Sequence, residues 1–253
     1  MPQAYGEKFA RIYNMRWSAF ANRVSPLIRS FYEQKMTDPI PKTLLDLGCG
    51  TGKLALHFLE HGYRVTGLDL SSAMLAVARE NAQEYLVEEQ ARFVVGDAAE
   101  FTLDEDFGLV VATYDTLNHL PDLAALESCF HSVYGVLLDA GWFIFDLNTL
   151  AGLHRWGGVT VLDEPDLVLI NRGVVVKEMR RAYTYITGFF RQEDERFERF
   201  DEVVYNTAFD LEAVAATLRQ VGFSHVHFAR VRALDVPLAA PEEEGRVFIC
   251  AQK

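Results

Sequence analysis

The chain has 253 residues, half of them hydrophobic, and its 24 basic and 36 acidic side chains give a formal net charge of −12. This size is enough to bury a core and predicts one soluble, enzyme-sized unit, whereas the acidic balance argues against binding to nucleic-acid phosphates. The sequence has no apolar run of about 18 residues, so we expect no membrane-spanning helix. The N-terminus lacks the apolar region of a signal peptide. The three cysteines are widely spaced, which indicates neither a disulfide framework nor a zinc site and fits a reducing cytoplasm.

The stretch up to about Lys42 is rich in aromatic residues. Phe9, Tyr13, Trp17 and Phe20 recur at helical spacing, which predicts a helix with an aromatic face. Such a helix either packs on the core or forms a lid over a ligand.

Residues 44–55 read as a buried strand, a tight turn and the start of a helix. Gly48, Gly50 and Gly52 leave the backbone of the turn bare, and a helix N-terminus offers unpaired N–H groups, so the segment predicts a nucleotide-like cofactor. The dinucleotide pattern G-x-G-x-x-G fails because Lys53 stands where its third glycine should be. The P-loop pattern fails because no serine or threonine follows that lysine.

Acidic residues follow the next two predicted strands. Asp69 lies roughly 20 residues beyond the glycine turn, the spacing expected for a carboxylate that accepts both ribose hydroxyls. The alternative, that Asp69 only caps the next helix, is weaker because Ser71 can serve as the N-cap. Asp97 and Ala98 follow the third strand in a Gly-Asp-Ala sequence. Taken alone, that sequence also fits a simple Asx turn.

The run Asp46-Leu47-Gly48-x-Gly50-x-Gly52 resembles motif I of the class I S-adenosylmethionine-dependent methyltransferases. The resemblance implies that S-adenosylmethionine is the cofactor, with Asp69 on its ribose and Asp97 and Ala98 on its adenine. It also implies that tyrosines ahead of motif I close the site around the sulfonium. Cys49 is interpreted as a small residue that fits the turn and not as a nucleophile. The expected cofactor-binding residues are Tyr13, Asp46, Gly48, Cys49, Gly50, Asp69, Leu70, Met74, Asp97, Ala98 and Tyr114.

Polar residues follow the fourth predicted strand, 107–113, and end the fifth, 141–148. The carboxyl edge of such a sheet is where ligands bind. The sequence after the fourth strand lacks the Asn/Asp-Pro-Pro-Tyr/Phe motif of nucleic-acid amino-methyltransferases and looks like the small-molecule branch. His119 is the candidate general base because its ordinary pKa suits proton transfer, although a histidine here can also simply hydrogen-bond a loop. The expected substrate-binding residues are Tyr5, Asn118 and Asn148.

Residues 151–206 read as an insertion of five short strands separated by charged or glycine-containing turns, as in an antiparallel sheet. Similar insertions in sugar-amine N-methyltransferases cover the substrate site and form dimer contacts, and the alternative is a purely structural sheet. We therefore expect a doubly wound, seven-stranded Rossmann-like α/β sheet built from residues 1–150 and 207–253, with an N-terminal helical lid. The last strand is expected to be antiparallel.

These features predict methyl transfer from S-adenosylmethionine to a nitrogen or oxygen of a small molecule by in-line displacement. No metal is expected, and a homodimer is possible. The alternatives are a nucleotide-dependent oxidoreductase, a cofactor-binding sensor or subunit without catalysis, and a methyltransferase acting on a protein or tRNA side group.

Overall fold

The computed structural model describes residues 5–192 and 194–253 and contains one seven-stranded sheet. Its strand order is β10-β11-β5-β4-β1-β2-β3, and β1 to β5 are parallel while β11 runs antiparallel between β5 and β10. Both the doubly wound sheet and its antiparallel last strand are therefore confirmed. The strands are β1 (Thr43–Leu47), β2 (Arg64–Asp69), β3 (Ala91–Val95), β4 (Phe107–Ala112), β5 (Leu137–Asn148), β10 (Ser224–Ala229) and β11 (Arg246–Gln252).

Helices cover both faces of this sheet and bury an apolar core on each side. One core contains Leu54 and Phe58, and the other contains Phe130 and Leu218. Such a sheet is buried on both faces, which explains why β4 carries only buried residues. The helices are α1 (Glu7–Arg16), α2 (Ser18–Lys35), α3 (Lys53–Leu59), α4 (Ser72–Asn81), α5 (Gln83–Val87), α6 (Leu123–Val136), α7 (Leu150–Leu153) and α8 (Leu211–Val221).

Side-chain caps fix where several helices begin. The Ser71 hydroxyl accepts from the Met74 amide at 3.1 Å, and Asp210 accepts from the Ala213 amide at 2.9 Å. Ser71 had been expected as an N-cap, and in both caps a side-chain oxygen satisfies an amide that the helix leaves unpaired. Among the helices of the described residues, none is long and apolar enough to cross a membrane.

A second sheet of four antiparallel strands, in the order β6-β7-β8-β9, interrupts the chain between β5 and α8. The prediction of five strands was wrong, because Val174–Val176 continues β7 instead of starting a new strand. Gly173 lies within that strand, where a Cβ would come 1.7 Å from the Trp156 carbonyl oxygen, so the glycine permits a close backbone approach and does not mark a turn. The strands are β6 (Gly158–Glu164), β7 (Leu167–Val176), β8 (Arg181–Arg191) and β9 (Phe197–Thr207).

The N-terminal helix α1 lies between the core and this second sheet. Phe9 is 4% exposed and packs in one cluster with Met74 of α4 and Phe200 of β9. The Tyr5 carbonyl accepts from the Ser71 hydroxyl at 2.6 Å, and the Gly6 amide donates to Glu202 at 2.9 Å. The aromatic face predicted for one helix is divided between α1 and α2, which meet at Trp17.

Candidate active site

The glycine turn after β1 has the backbone geometry that the sequence predicted. Gly48, Gly50 and Gly52 have φ angles of 64°, 54° and 74°, in the left-handed region that favours glycine. Thr116 packs directly on the turn, since a Cβ at Gly48 would lie 2.3 Å from its Cγ2 atom. The turn therefore tolerates no side chain at Gly48 and leaves its backbone open to a ligand.

Asp69 ends β2 beside this turn, and two backbone amides hold its carboxylate. The Gly50 amide donates to Oδ2 and the Ser71 amide to Oδ1, both at 2.8 Å. Each oxygen retains a further lone pair, which is the acceptor capacity needed for two vicinal hydroxyls. Burial raises the pKa of Asp69, although the amides of Ser71 and Gly50 oppose this rise.

A cavity of about 470 Å³ opens at the carboxyl edge of the parallel strands. It brings together most of the predicted site residues, from the glycine turn and from the ends of β2, β3 and β4. The predicted residues that line it are Tyr5, Tyr13, Gly48, Gly50, Asp69, Leu70, Met74, Asp97, Ala98, Tyr114 and His119.

Asp97 and Ala98 form the end of the cavity that follows β3. The Asp97 Oδ1 atom accepts from the Ala99 amide at 2.9 Å, so the Asx turn that had been the alternative interpretation is present. The turn does not conflict with a ligand contact, because it occupies only part of the acceptor capacity of the carboxylate.

Asp46 and Cys49 do not line this cavity and lie on the other side of the glycine turn, around a small void of about 30 Å³. Asp46 is 2% exposed, and its Oδ2 atom has no hydrogen-bond partner among the described residues. Burial and then the charge of Asp69 raise the pKa of Asp46 to about 8. Cys49 is buried, and burial raises the pKa of its thiol well above the usual range, as expected for a packing residue and not for a nucleophile.

His119 lies in a short 3₁₀ helix after β4 and faces the cavity. Its Nδ1 atom lies 2.9 Å from the Tyr205 carbonyl oxygen of β9. Because a carbonyl can only accept, Nδ1 carries the proton, and in the neutral ring the acceptor lone pair is on Nε2. The Tyr5 ring meets the imidazole edge-on, with the ring centroids 6.3 Å apart.

Tyr5 and Tyr13 bring two phenol groups from the N-terminal segment to the cavity. Burial, followed by the charges of Asp115 and Asp69, raises the pKa of Tyr5 far above its usual value. Burial also raises the pKa of Tyr13. Both side chains are therefore neutral phenols at physiological pH.

The structure does not bring Asn118 and Asn148 into the cavity, contrary to their expected role in substrate binding. Asn118 is fully buried, and its amide donates to the carbonyl oxygens of Asn148 and Thr207 at 3.0 and 2.8 Å. Asn148 donates to Asn206 at 2.9 Å. These side chains join β5 to the second sheet, because every buried amide must find partners, and we assign them a structural role.

Sequence reasoning missed several residues of the cavity wall. Tyr205 comes from the second sheet, and no local pattern signals that β9 passes His119. Asp115 could have been noticed as an acidic residue at a strand end, next to Tyr114. The remaining lining residues that had not been named are Leu68, Gly96, Ala99, Thr113, Thr116, Leu120, Pro121 and Ala125.

Comparisons with known proteins agree with this geometry. A family model described as a methyltransferase domain matches residues 44–141, which contain the glycine turn, Asp69 and Asp97. The chain contains a methyltransferase domain. A relative from Geobacillus sp. (strain WCH70) that is named as a methyltransferase is 27% identical over 215 residues, which are 84% of this chain and 85% of the relative.

Two solved structures resemble the methyltransferase over nearly its whole length. An S-adenosylmethionine-dependent methyltransferase from Clostridium acetobutylicum has a TM-score of 0.82 at 22% identity and covers 97% of each chain. The sugar N-methyltransferase KedS8 from Streptoalloteichus sp. has a TM-score of 0.80 at 21% identity, covering 100% of this chain and 95% of its own. At these identities the likeness shows the shared fold.

The residues of the methyltransferase fit its cofactor, S-adenosylmethionine. Asp69 presents fixed acceptor oxygens suited to the ribose, and the glycine turn allows an approach to bare backbone.

Proposed function

We propose that this methyltransferase transfers a methyl group to the nitrogen of a small-molecule amine by in-line displacement. One observation carries the proposal: a single cavity contains the glycine turn, Asp69, Asp97 and His119. The fold likeness to KedS8, which its name describes as a sugar N-methyltransferase, supports a small-molecule acceptor.

When bound, S-adenosylmethionine supplies a methyl group on a positively charged sulfur, which leaves as a neutral thioether. The protein must therefore align the acceptor and exclude water. Tyr5 and Tyr13 suit this task, because they extend from the N-terminal segment over the cavity and aromatic ring faces attract cations.

The charges around the cavity favour an amine over a phenol or a carboxylic acid. Asp69, Asp97 and Asp115 line the cavity, whereas none of its described lining residues is a lysine or an arginine. A negative field attracts a cationic ammonium group, and it opposes formation of a phenolate or a carboxylate. Oxygen acceptors are therefore the less favoured class.

His119 is the proposed general base. Nε2 of the imidazole would first accept a proton from the bound ammonium group, which gives the nitrogen a lone pair. This lone pair would then form the new carbon–nitrogen bond as the carbon–sulfur bond breaks, so that the positive charge passes from sulfur to the methylated nitrogen. The Nδ1 contact to the Tyr205 carbonyl supports this role because it selects the tautomer with the lone pair on Nε2.

The test is a methylation screen read by mass spectrometry, in which each amine is paired with the alcohol or phenol of the same skeleton. We expect methylated products from the amine members only. His119→Ala should reduce kcat by about 100-fold or more and leave the affinity for S-adenosylhomocysteine unchanged. Turnover confined to the oxygen members would overturn the amine proposal, and undiminished kcat in His119→Ala would remove the base.

We also propose that the protein forms a homodimer through the outward face of the second sheet and works in the cytoplasm. The three cysteines are free and buried, which suits a reducing compartment. Val159, Val161 and Val203 are exposed on that face, which supports the dimer.

A further inference from the structure

A buried ion cluster lies behind the cavity wall that follows β4. Asp146, near the end of β5, is fully buried, and only 24% of the Arg246 side chain is exposed. The Arg246 guanidinium bonds to Asp146 and, through Nη2, to Asp115 Oδ1 at 2.6 Å. Two carboxylates thus share one guanidinium, and Arg246 lies at the start of β11, 131 residues beyond Asp115.

Asp146 also holds the backbone of the cavity wall. Its Oδ1 atom accepts from the Tyr114 amide at 2.6 Å, and its Oδ2 atom accepts from the Asp115 amide at 3.1 Å. Tyr114 and Asp115 have φ angles of 64° and 55°, a conformation that residues with a side chain rarely adopt. Two consecutive residues of this kind persist only where the surroundings fix them.

This wall packs against the cofactor turn. Thr116 follows Asp115 directly, and its side chain occupies the space where a Cβ of Gly48 would be. The Thr116 hydroxyl donates to the Thr113 carbonyl at 2.9 Å, which ties the wall into one small loop. A shift of Tyr114 and Asp115 is therefore transmitted to the glycine turn.

The guanidinium also covers an aromatic stack that reaches the cavity. Its carbon lies 5.0 Å from the Phe20 ring centroid and 5.5 Å from that of Tyr114. Phe20 and Tyr114 stack with their centroids 4.5 Å apart and their planes at 15°. Tyr114 in turn lies 6.4 Å from the Tyr13 ring, so one cation fixes both the backbone and the ring of Tyr114.

We propose that Arg246 is a positioning residue for the cofactor site. It is not among the residues that line the cavity, and it acts through Asp146 and Asp115, which hold the Tyr114–Thr116 wall against the glycine turn. The proposal depends on cofactor binding and not on the identity of the methyl acceptor. It therefore still holds if the proposed amine substrate class is wrong.

The first test is the affinity for S-adenosylhomocysteine, measured by calorimetry on folded Arg246→Gln. We expect binding to weaken by about tenfold or more, because small displacements of positioning groups are costly. Arg230→Gln is the matched control, since Arg230 belongs to the same C-terminal region and pairs with Glu244 at the surface. The control should bind like the wild-type protein.

A second measurement distinguishes a positioning role of Arg246 from a role in stability alone. In Arg246→Gln the groups facing Asp146 are Asp115 and the Tyr114 phenol, with Arg23 of α2 near that phenol. Without the guanidinium the buried carboxylate retains its proton to higher pH, so the melting temperature of this variant should fall more steeply than that of the wild type as pH rises from 6 to 8. Adding Asp146→Asn should remove this excess over the wild type without restoring the affinity.

Arg246→Lys keeps the charge but cannot bridge both carboxylates with a planar fork. It should bind S-adenosylhomocysteine with an affinity between those of the wild type and Arg246→Gln, and it replaces Arg246→Gln if that variant does not fold. Unchanged affinity in the folded variant, even with a lowered melting temperature, would reduce Arg246 to a structural residue and overturn the proposal.

Discussion

Asp69 is oriented before any ligand binds, because the amides of Gly50 and Ser71 fix both of its oxygens. An acceptor held in this way loses little conformational entropy when it binds two hydroxyls. Burial and then the charge of Asp69 raise the pKa of Asp46, so the two carboxylates are electrostatically linked.

Asp69→Ala should weaken S-adenosylhomocysteine binding by about 100-fold or more, since two hydrogen bonds to a charged acceptor are lost. Calorimetric titration measures this loss. Asp104→Ala, at an exposed carboxylate, is the control and should bind normally. Wild-type affinity in Asp69→Ala would refute the ribose assignment.

Asp46 should make stability depend on pH. Its pKa is raised to about 8 in the folded protein, so the folded state binds this proton more tightly than the unfolded chain does. Stability is therefore fully present at low pH and declines as pH rises towards 8. Asp46→Asn mimics the protonated group and should lose much of this decline between pH 6 and 8, measured as the melting temperature. An unaltered pH dependence would argue against a protonated Asp46.

At the scale of elements, α1 is held by packing on both of its sides. Phe9 joins it to α4 and to β9, while the Gly6 amide and the Tyr5 carbonyl bond to Glu202 and Ser71. Because Tyr5 and Tyr13 reach the cavity from this segment, its docking couples the second sheet to the cofactor site.

Phe9→Ala should lower the free energy of unfolding by about 3 kcal/mol, the usual cost of a large cavity. It should also weaken S-adenosylhomocysteine binding, because a loosened α1 no longer holds Tyr13 in place. Denaturant melts and calorimetry measure the two effects. Met15→Ala on the same helix is the control, because Met15 is 56% exposed. Normal affinity in a destabilised Phe9→Ala variant would contradict this prediction, because it would show that cofactor binding does not depend on the docking of α1.

For the whole molecule, the outward face of the second sheet exposes several valines. Val159, Val161 and Val203 are 64%, 62% and 53% exposed, and Val159 stands in one cross-strand row with Arg172, Tyr185 and Val203. Several exposed apolar side chains on one face of a sheet favour an interface with another chain.

Val161→Lys combined with Val203→Lys should convert the proposed dimer into a monomer, because lysines on a buried symmetric face repel their copies. Sedimentation velocity measures the change. Val87→Lys, at a residue of α5 that is 81% exposed, is the control and should leave the dimer intact. A wild-type protein that sediments as a monomer at all concentrations would refute the dimer.

Local sequence was sufficient for the core of the fold and for the prediction that most of the expected site residues lie together. Glycine spacing, acidic residues at strand ends and helix caps each involve only residues that are close together in the chain. These patterns can therefore be recognised without knowledge of the tertiary structure. That is why Gly48, Gly50, Asp69 and Asp97, which the sequence predicts for one site, line one cavity, while their contacts to the cofactor stay a prediction. The strand count of the insertion failed because Gly173 serves a distant backbone contact instead of a turn.

The doubly wound sheet and the methyltransferase motifs could be inferred from the chain alone, because they depend on periodic burial and on contiguous residues. Which polar residues at the sheet edge face the cavity depends on the tertiary packing. It buried Asn118 and Asn148 against the second sheet and placed Tyr205 beside His119. It also paired Arg246 with Asp115 across 131 positions. Such contacts join segments far apart in the chain, and whether a polar group meets a partner or a cavity depends on packing that no local pattern encodes.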